Sequence, residues 1–589
     1  MKRIKSDTAV CSVPYPGGTA QFARKGDTLT ITLSYRGAYG MGEKYDRLNQ
    51  KGHTVVNQVE EKFCFQGEKT YCAAPFFWTD TGFGLYVDTS CTTSFSFEET
   101  GVTVKLPEEA DVVAFSGTPE TILREYQNLF GAPVLPPEWA FGVWISANRW
   151  NTQKDAELQI ARLKEYGFPA SVLVLEAWSD EATFYVWNGA RYTPSPAPKR
   201  CEDFDFSGSP WPDPQKMIDR LHEAGLHLLL WQVPVYKKLS AGEAENPQNE
   251  LDGKEAAKNG FCVKLADGSP YTIPAGHWFS GSMIPDFTNL SAREDWFGKR
   301  CYLLDMGVDG FKTDGGEFLY REDTRFCDGT TGREGKNRYA RDYTQSYRDF
   351  IGPKRVLFSR AGFAGQHTVP IHWAGDQQSQ NREFKSALRA GLSAAASGIL
   401  FWGFDIAGFA GPLPTLDLYR RATQTACFCP IMQWHSEPDG GQFRELLPGG
   451  QGNNERSPWN MAQTYHEPEF LSEMRFWHQL RERLRPYLWN TAQRCVREGK
   501  PMMRPLFYEW PDEALFQDCE DEYLLGDALL IAPLMEENAR TRAVRLPKGK
   551  WHGFFDGRVW EGGREIEAGG SGKLPVFIRD GFEGLFENI

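Results

Sequence analysis

Residues 307–320 read Gly307-Val-Asp-Gly-Phe-Lys-Thr-Asp-Gly-Gly-Glu-Phe-Leu-Tyr320. Val308 and Phe311 are the apolar positions of a short buried strand, and Lys312, Asp314 and Glu317 crowd its C-terminal end. Gly315 and Gly316 let the backbone turn sharply there. A strand that ends in acids and a lysine marks the reactive mouth of a parallel α/β barrel. The same residues also suit a helix start, with Asp314 as the cap and Lys312 neutralising it. The flanking sequence decides between the two.

Beyond Pro133, Pro136 and Pro137, short apolar runs alternate with helical stretches, the pattern of βα units around a parallel sheet. Eight runs qualify as strands. They begin at Phe141, Ser171, His227, Gly310, Val356, Pro370, Ile399 and Ile431. All but the first end in a charged residue, a Trp or a Gln; the first ends at Trp144 and Ser146. Eight such runs predict a (β/α)8 barrel over residues 134–498 whose polar strand ends line one mouth. Asp155–Tyr166 reads as an amphipathic helix with Leu158, Ile160, Ala161 and Leu163 on its apolar face, and Asp213–Ala224 as another with Met217, Ile218 and Leu221. The link between the fifth and sixth strands is too short for a helix. Residues 179–212 and 238–285 form long loops, expected to decorate the mouth.

Residues 1–133 carry short alternating runs such as Thr28–Ser34, Phe83–Asp88, Thr93–Phe97 and Val102–Leu106, separated by Gly and Asp turns. They predict a β-sandwich. Tyr39-Gly-Met-Gly-Glu-Lys-Tyr-Asp46 is glycine-rich but lacks the GxGxxG spacing and a following helix, so it is not a dinucleotide fingerprint. From 499 to 589 the β pattern returns, predicting a small C-terminal β-sandwich.

Composition narrows the function. The net charge is −13 and no basic stripe is present, which argues against a nucleic-acid partner. No apolar stretch is long enough to span a membrane, and the N-terminus lacks the apolar core of a secretory signal. The 12 cysteines are scattered, without a C-x2-C pair or HExxH; they read as reduced thiols of a cytoplasmic protein, and neither a metal nor another cofactor is expected. No GxSxG elbow and no P-loop occur. The 19 Trp, 40 Phe and 22 Tyr are mostly core, though sugar clefts also use such rings.

Asp314 ends the fourth run and Asp376 the sixth, so a barrel would aim both into one mouth. Two carboxyl groups facing across a cleft are what glycoside hydrolysis needs: one attacks or stabilises the anomeric carbon and the other protonates the leaving oxygen. Lys312 shares a strand face with Asp314 and favours its ionised form. Asp376 follows Trp373 and Gly375 with no cation near it in sequence, so desolvation and the charge of Asp314 would hold it protonated, as a general acid requires. Each acid alone also fits a cap or a loop ion pair. Arg360, Asp405 and His435 end the fifth, seventh and eighth runs, and either complete a charge network or bond sugar hydroxyls. Trp144, Trp231, Trp373 and Trp402 lie at strand ends, as core or as walls of a sugar site. His367 and His372 read as structural.

These motifs resemble glycoside hydrolase family 31, the retaining α-glucosidases and α-xylosidases. Gly310-Phe-Lys-Thr-Asp-Gly-Gly-Glu317 is similar to its nucleophile signature, which implies Asp314 as nucleophile. His372-Trp-Ala-Gly-Asp376 is similar to its acid/base segment, which implies Asp376. Phe358-Ser-Arg360, Gly403-Phe-Asp-Ile-Ala-Gly-Phe409 and His435-Ser436 resemble its substrate-binding strand ends. Tyr39–Lys44 and Pro75–Thr79 match its N-terminal sandwich, and Leu525–Pro533 its C-terminal one. Where the family often has an aspartate for the outer hydroxyls of the terminal sugar, this chain has Glu176, followed by Trp178 and by Asp180 as an alternative holder. The resemblance implies a retaining, exo-acting hydrolase of α-linked oligosaccharides or glycosides, with α-glucoside as the default and α-xyloside or α-galactoside as alternatives. A carbohydrate-binding pseudo-enzyme is the non-enzyme alternative. It leaves room for a homo-oligomer.

Overall fold

The computed structural model describes residues 1–148, 150–436, 455–570, 572–587 and 589. All eight expected barrel strands form. They are β1 (Val143–Ala147), β2 (Val172–Leu175), β3 (His227–Gln232), β4 (Gly310–Thr313), β5 (Val356–Ser359), β6 (Ile371–Trp373), β7 (Trp402–Gly403) and β8 (Met432–Ser436). They pair in parallel in sequence order, and β1 also pairs with β8. The last gap, between β7 and β8, is closed beyond the strands by a parallel bridge of Asp405 to Gln433. The Gln433 side chain reinforces it by donating to Asp405 Oδ1 over 2.6 Å.

Alternation along each strand sorts side chains between the barrel interior and the helix layer. On β4, Phe311 packs outward against Tyr347 and Phe350 of the helix Gly332–Ile351. Lys312 therefore faces inward. The helix expected over Asp155–Tyr166 spans Gln153–Tyr166, but Leu158 is exposed and the buried stripe runs through Ala156, Gln159 and Leu163. The second expected helix spans Pro214–Glu223 and buries Met217, Ile218 and Leu221. The long segment 238–285 is not loop throughout, since Pro247–Asn259 is helical behind an Asn246 cap.

The N-terminal sandwich has a five-stranded and a six-stranded sheet. Strand Ala73–Thr79 is buried along its whole length. Phe77 faces the sandwich core, whereas Phe76, stacked on Tyr126, and Trp78, beside Phe507, belong to a larger core that continues into the barrel. The link between β5 and β6 holds only one 3-10 turn, Gln366–Thr368. The sandwich fills the place of the missing helix. Cys72 bridges Gly362, Gln366 donates to the Ala73 carbonyl over 2.7 Å, and His367 Nε2 sits 2.9 Å from the Gly131 carbonyl. His367 and His372 are both buried against backbone oxygens, which fits their structural reading. A helix over Pro468–Glu498 leads to the C-terminal sheets, one of six strands and one of two.

Gly310 opens β4 because nothing larger fits. A Cβ there would stand 2.0 Å from the Val356 carbonyl oxygen on β5. Gly310→Ala should wedge the two strands apart and lower stability by about 1–3 kcal/mol, the usual range for overpacking. A thermal melt followed by circular dichroism checks this; an unchanged melting temperature would contradict so close an approach.

Candidate active site

At the end of β4, Gly315 and Gly316 both adopt positive φ, +68° and +107°. The first turn brings the Gly315 amide onto Asp314 Oδ1 at 2.8 Å. The second returns the chain so that Glu317 points back into the mouth. Trp231, near the end of β3, donates its indole N–H to Asp314 Oδ2 over 3.0 Å.

Arg360 leaves the end of β5 and occupies the centre. Its Nε and Nη2 fork onto Glu317 at 3.1 and 3.0 Å. Its Nη1 lies 3.0 Å from Asp314 Oδ1 and 3.1 Å from Asp376 Oδ2. Those two contacts meet at one nitrogen, so the two carboxylate oxygens are at most about 6 Å apart. The Arg360 side chain is only 2% exposed, against 11% for Asp314 and 17% for Asp376. A ligand can therefore reach the acids, while the cation that holds them stays covered.

A second polar corner surrounds Lys312, which is buried and ion-paired with Glu176 of the β2 end. His435 Nε2 faces Glu176 Oε2 at 3.6 Å, while its Nδ1 is 2.6 Å from Ser146 Oγ. Burial opposes the charge of Lys312, but Glu176, Asp405 and Asp314 outweigh it and its pKa is raised. Burial also pushes Glu176 up to about 7 against the pull of Lys312. It raises Asp405, opposed by Lys312 and Gln433. His435 is driven well below its ordinary value by burial and by the nearby Lys312 and Arg456, so it is neutral.

Around these two cations stand four buried acids, Glu176, Asp314, Glu317 and Asp405, and the part-buried Asp376. They cannot all be charged without unpaired charge in a dry site. Asp376 is raised, first by burial and then by Asp314, with Arg360 opposing. Glu317 is raised by burial, again against Arg360.

Of the residues expected from sequence, Glu176, Trp231, Lys312, Asp314, Arg360, Asp376, Asp405 and His435 are brought together. Trp373 lies beneath Lys312, whose Nζ is 4.8 Å from the ring centroid. With Trp144 and Phe358 it fills the barrel interior. Three expected residues are placed elsewhere. Trp402 turns outward, where its ring packs on Gly391 of the surrounding helix layer and its N–H donates to Glu43 of the sandwich. Trp178 is fully buried, bonded to the Trp231 carbonyl and packed on Trp187. Asp180 accepts from Thr183, Ala182 and Asn246, and so ties its own loop together. Each departs for the same reason: a polar or aromatic residue near a strand end need not point inward.

Sequence reading missed the contributions of distant segments. Tyr71 of the sandwich lies under Arg360, 4.5 Å from guanidinium carbon to ring centroid. Gly375 has φ +68°, and a Cβ there would meet the Tyr71 ring at 2.3 Å. Gln66 donates to the Asp376 carbonyl over 2.7 Å. Trp278, from the long loop after β3, approaches Arg360 at 5.4 Å. No local pattern marks these residues; only Gly375, next to an acid, hinted at close packing.

The family model described as the glycosyl hydrolases family 31 TIM-barrel domain matches residues 133–491. The chain belongs to glycosyl hydrolase family 31. The family's N-terminal galactose mutarotase-like domain matches residues 21–96 and its C-terminal domain residues 499–582. An isomaltosyltransferase of Sporosarcina globispora is 37% identical over 92% of this chain and 50% of its own length. A 1,3-alpha-isomaltosidase of Kribbella flavida is 38% identical over 89% of the chain and 72% of its own. Among solved structures, the cycloalternan-degrading enzyme from Trueperella pyogenes in complex with covalent intermediate superposes with a TM-score of 0.88 at 37% identity, covering 96% of this chain and 78% of that one. The chain thus spans half of one relative and about three-quarters of the other two. Among the described residues, no helix is long and apolar enough to cross a membrane.

Among the described residues, Arg360 is the only cation paired with Asp314, Glu317 or Asp376. Arg360→Met should therefore cost about 3 kcal/mol of stability near neutral pH, as breaking a buried pair does. The deficit should shrink as pH falls, because acids left without their cation bind protons more readily and lose the charge that needed it. Denaturant melts of both proteins at neutral and acidic pH test this. A deficit independent of pH would mean that Arg360 acts through packing alone.

Proposed function

We propose that this chain is a retaining, exo-acting α-glycoside hydrolase, with Asp314 as nucleophile and Asp376 as general acid and base. The observation that carries this is the single Arg360 nitrogen shared by the two acids. Oxygens at most about 6 Å apart are close to the roughly 5–5.5 Å spacing of retaining enzymes and leave no room for the water that inverting enzymes place between acids about 6.5–9.5 Å apart. Asp314 accepts three N–H groups, from Trp231, Gly315 and Arg360, which fix its oxygens in position to attack the anomeric carbon. Asp376 retains its proton in the dry site and delivers it to the leaving oxygen. It then takes a proton from the water that releases the sugar, and two inversions leave the α configuration intact.

The terminal sugar ring fits the corner made by Glu176, Lys312, Asp405 and His435. His435 Nε2 is buried there without a hydrogen-bond partner, and a sugar hydroxyl would supply one. The sequence pointed to single α-glucose units as the default. Two relatives named for isomaltosyl chemistry favour a finer reading, in which an α-glucosyl substrate is taken as an isomaltosyl unit, by hydrolysis or by transfer. A plain α-glucosidase is the second reading, carried by more distant relatives of that name.

Incubation with an oligosaccharide bearing a non-reducing-end isomaltosyl group separates the two: isomaltose as first product supports the finer reading, and glucose alone the second. Proton NMR of the first-formed sugar should show the α anomer; a β anomer would end the retaining assignment. Asp314→Ala should reduce turnover at least about 10⁴-fold with the fold intact. Asp376→Ala should lose about 10²–10⁴-fold in kcat/KM on substrates that need protonation but far less in kcat/KM on α-glucosyl fluoride, whose leaving group needs no proton. For the wild type, activity should fall as pH rises through the elevated pKa of Asp376, since the proton donor is then lost.

A further inference from the structure

The glycine-rich segment Tyr39–Asp46 of the sandwich has no dinucleotide to bind, yet it is built with care. Gly40, Met41 and Gly42 all have positive φ, +115°, +70° and +90°, and the pairing register shifts across them. A Cβ at Gly42 would stand 2.2 Å from the Cys72 carbonyl oxygen. This kink drives Glu43 into the boundary between sandwich and barrel, where it is 1% exposed. Among the described residues, no lysine or arginine pairs with it. The titratable groups that face it are Tyr45 on its own segment and Cys72 on the adjoining one, both buried, and Tyr45 in turn packs edge-on against the buried Tyr71.

The hydrogen bonds around Glu43 can be counted. Trp402 Nε1 donates to Glu43 Oε1 over 2.7 Å. The Tyr45 hydroxyl lies 3.0 Å from Glu43 Oε2 and 2.8 Å from the Ala374 carbonyl oxygen. That hydroxyl has one proton. If Glu43 were a carboxylate, one of these two contacts would bring two oxygens together with no hydrogen between them. Protonating Glu43 at Oε2 satisfies all three contacts. The acid donates to Tyr45, Tyr45 donates to Ala374, and Trp402 donates to the remaining oxygen.

We propose that Glu43 works in its neutral, protonated form and heads a one-way relay, through Tyr45 to the Ala374 carbonyl, that positions the strand end carrying Asp376. The assignment of its purpose rests on Asp376 as the general acid; the protonation itself does not. Burial pushes Glu43 up to about 7, with Trp402 and Tyr45 opposing, in keeping with a proton held there. Ala374 is two residues before Asp376, and Gln66 grips the Asp376 carbonyl from the same sandwich. Glu43 and Tyr45 are positioning residues, since neither touches the reacting atoms.

Glu43→Gln keeps one donor and one acceptor in the same places, so it should retain the wild-type kcat to within about twofold and lose any part of the alkaline decline due to Glu43. Glu43→Ala and Tyr45→Phe should lower kcat/KM for aryl α-glucosides with poor leaving groups about tenfold, while kcat/KM for α-glucosyl fluoride changes less than about twofold. The infrared difference spectrum of wild type minus Glu43→Gln at pH 6 should contain a protonated carboxylic acid band. An ionised carboxylate band there, or Glu43→Gln as slow as Glu43→Ala, would overturn the relay. Equal losses on the fluoride would overturn the link to proton delivery. Failure of the Asp376 assignment reads out separately, as an Asp376→Ala loss in kcat/KM for the fluoride as large as that for substrates needing protonation.

Discussion

The geometry of this site depends on how one guanidinium is shared. Arg360 satisfies Glu317 with two of its nitrogens and spans Asp314 and Asp376 with the third. Without it, three acids from two strand ends would repel one another in a cavity too dry to screen them. With it, Glu317, Asp314 and Asp376 are gathered around one guanidinium. The arrangement also sets the protonation pattern. One cation cannot neutralise three carboxylates, and burial raises both Glu317 and Asp376 against its pull; Asp376 is the one that only the shared nitrogen reaches. Lysine could not take this role, because a point charge on a flexible stem has no planar fork.

Glu43 obeys the same rule at the back of the site. A buried acid with no cation keeps its proton, and the proton then becomes a structural element. Acids in this protein divide by what they are given: Asp314 has three donors and one full charge nearby, Asp376 has half a guanidinium nitrogen, and Glu43 has an indole and a phenol.

The eight strands were legible because a buried parallel strand is a short apolar run and because the polar residue ending it lies at the mouth. The paired acids were legible for the same reason. Side-chain direction was less so. Trp402 and Asp405 both belong to the seventh run, yet one faces the helix layer and the other the mouth; a strand of two residues leaves the phase of alternation open. Asp180 and Trp178 were misplaced because the chain leaves β2 before reaching them and turns on itself. Glu317 was seen as part of a charged cluster, but its partner lies on another strand and no spacing along the chain reveals it. Tyr71, Gln66, Trp278 and Tyr45 come from segments whose approach is set by domain packing, which local patterns do not encode.

The absent helix between β5 and β6 has a bearing on synthesis. Strand Ala73–Thr79 leaves the ribosome before the barrel does, and the Trp78 N–H finds its acceptor, the Ala396 carbonyl at the end of the helix Asn381–Ala396, 318 residues further on, while its ring also waits for Phe507 and Tyr508. The nascent sandwich therefore carries a partly unsealed aromatic flank until those segments are made, where chaperones would be expected to bind. The same flank makes the sandwich and the barrel a single inherited unit: an exchange of one between relatives must carry the matching surface of the other.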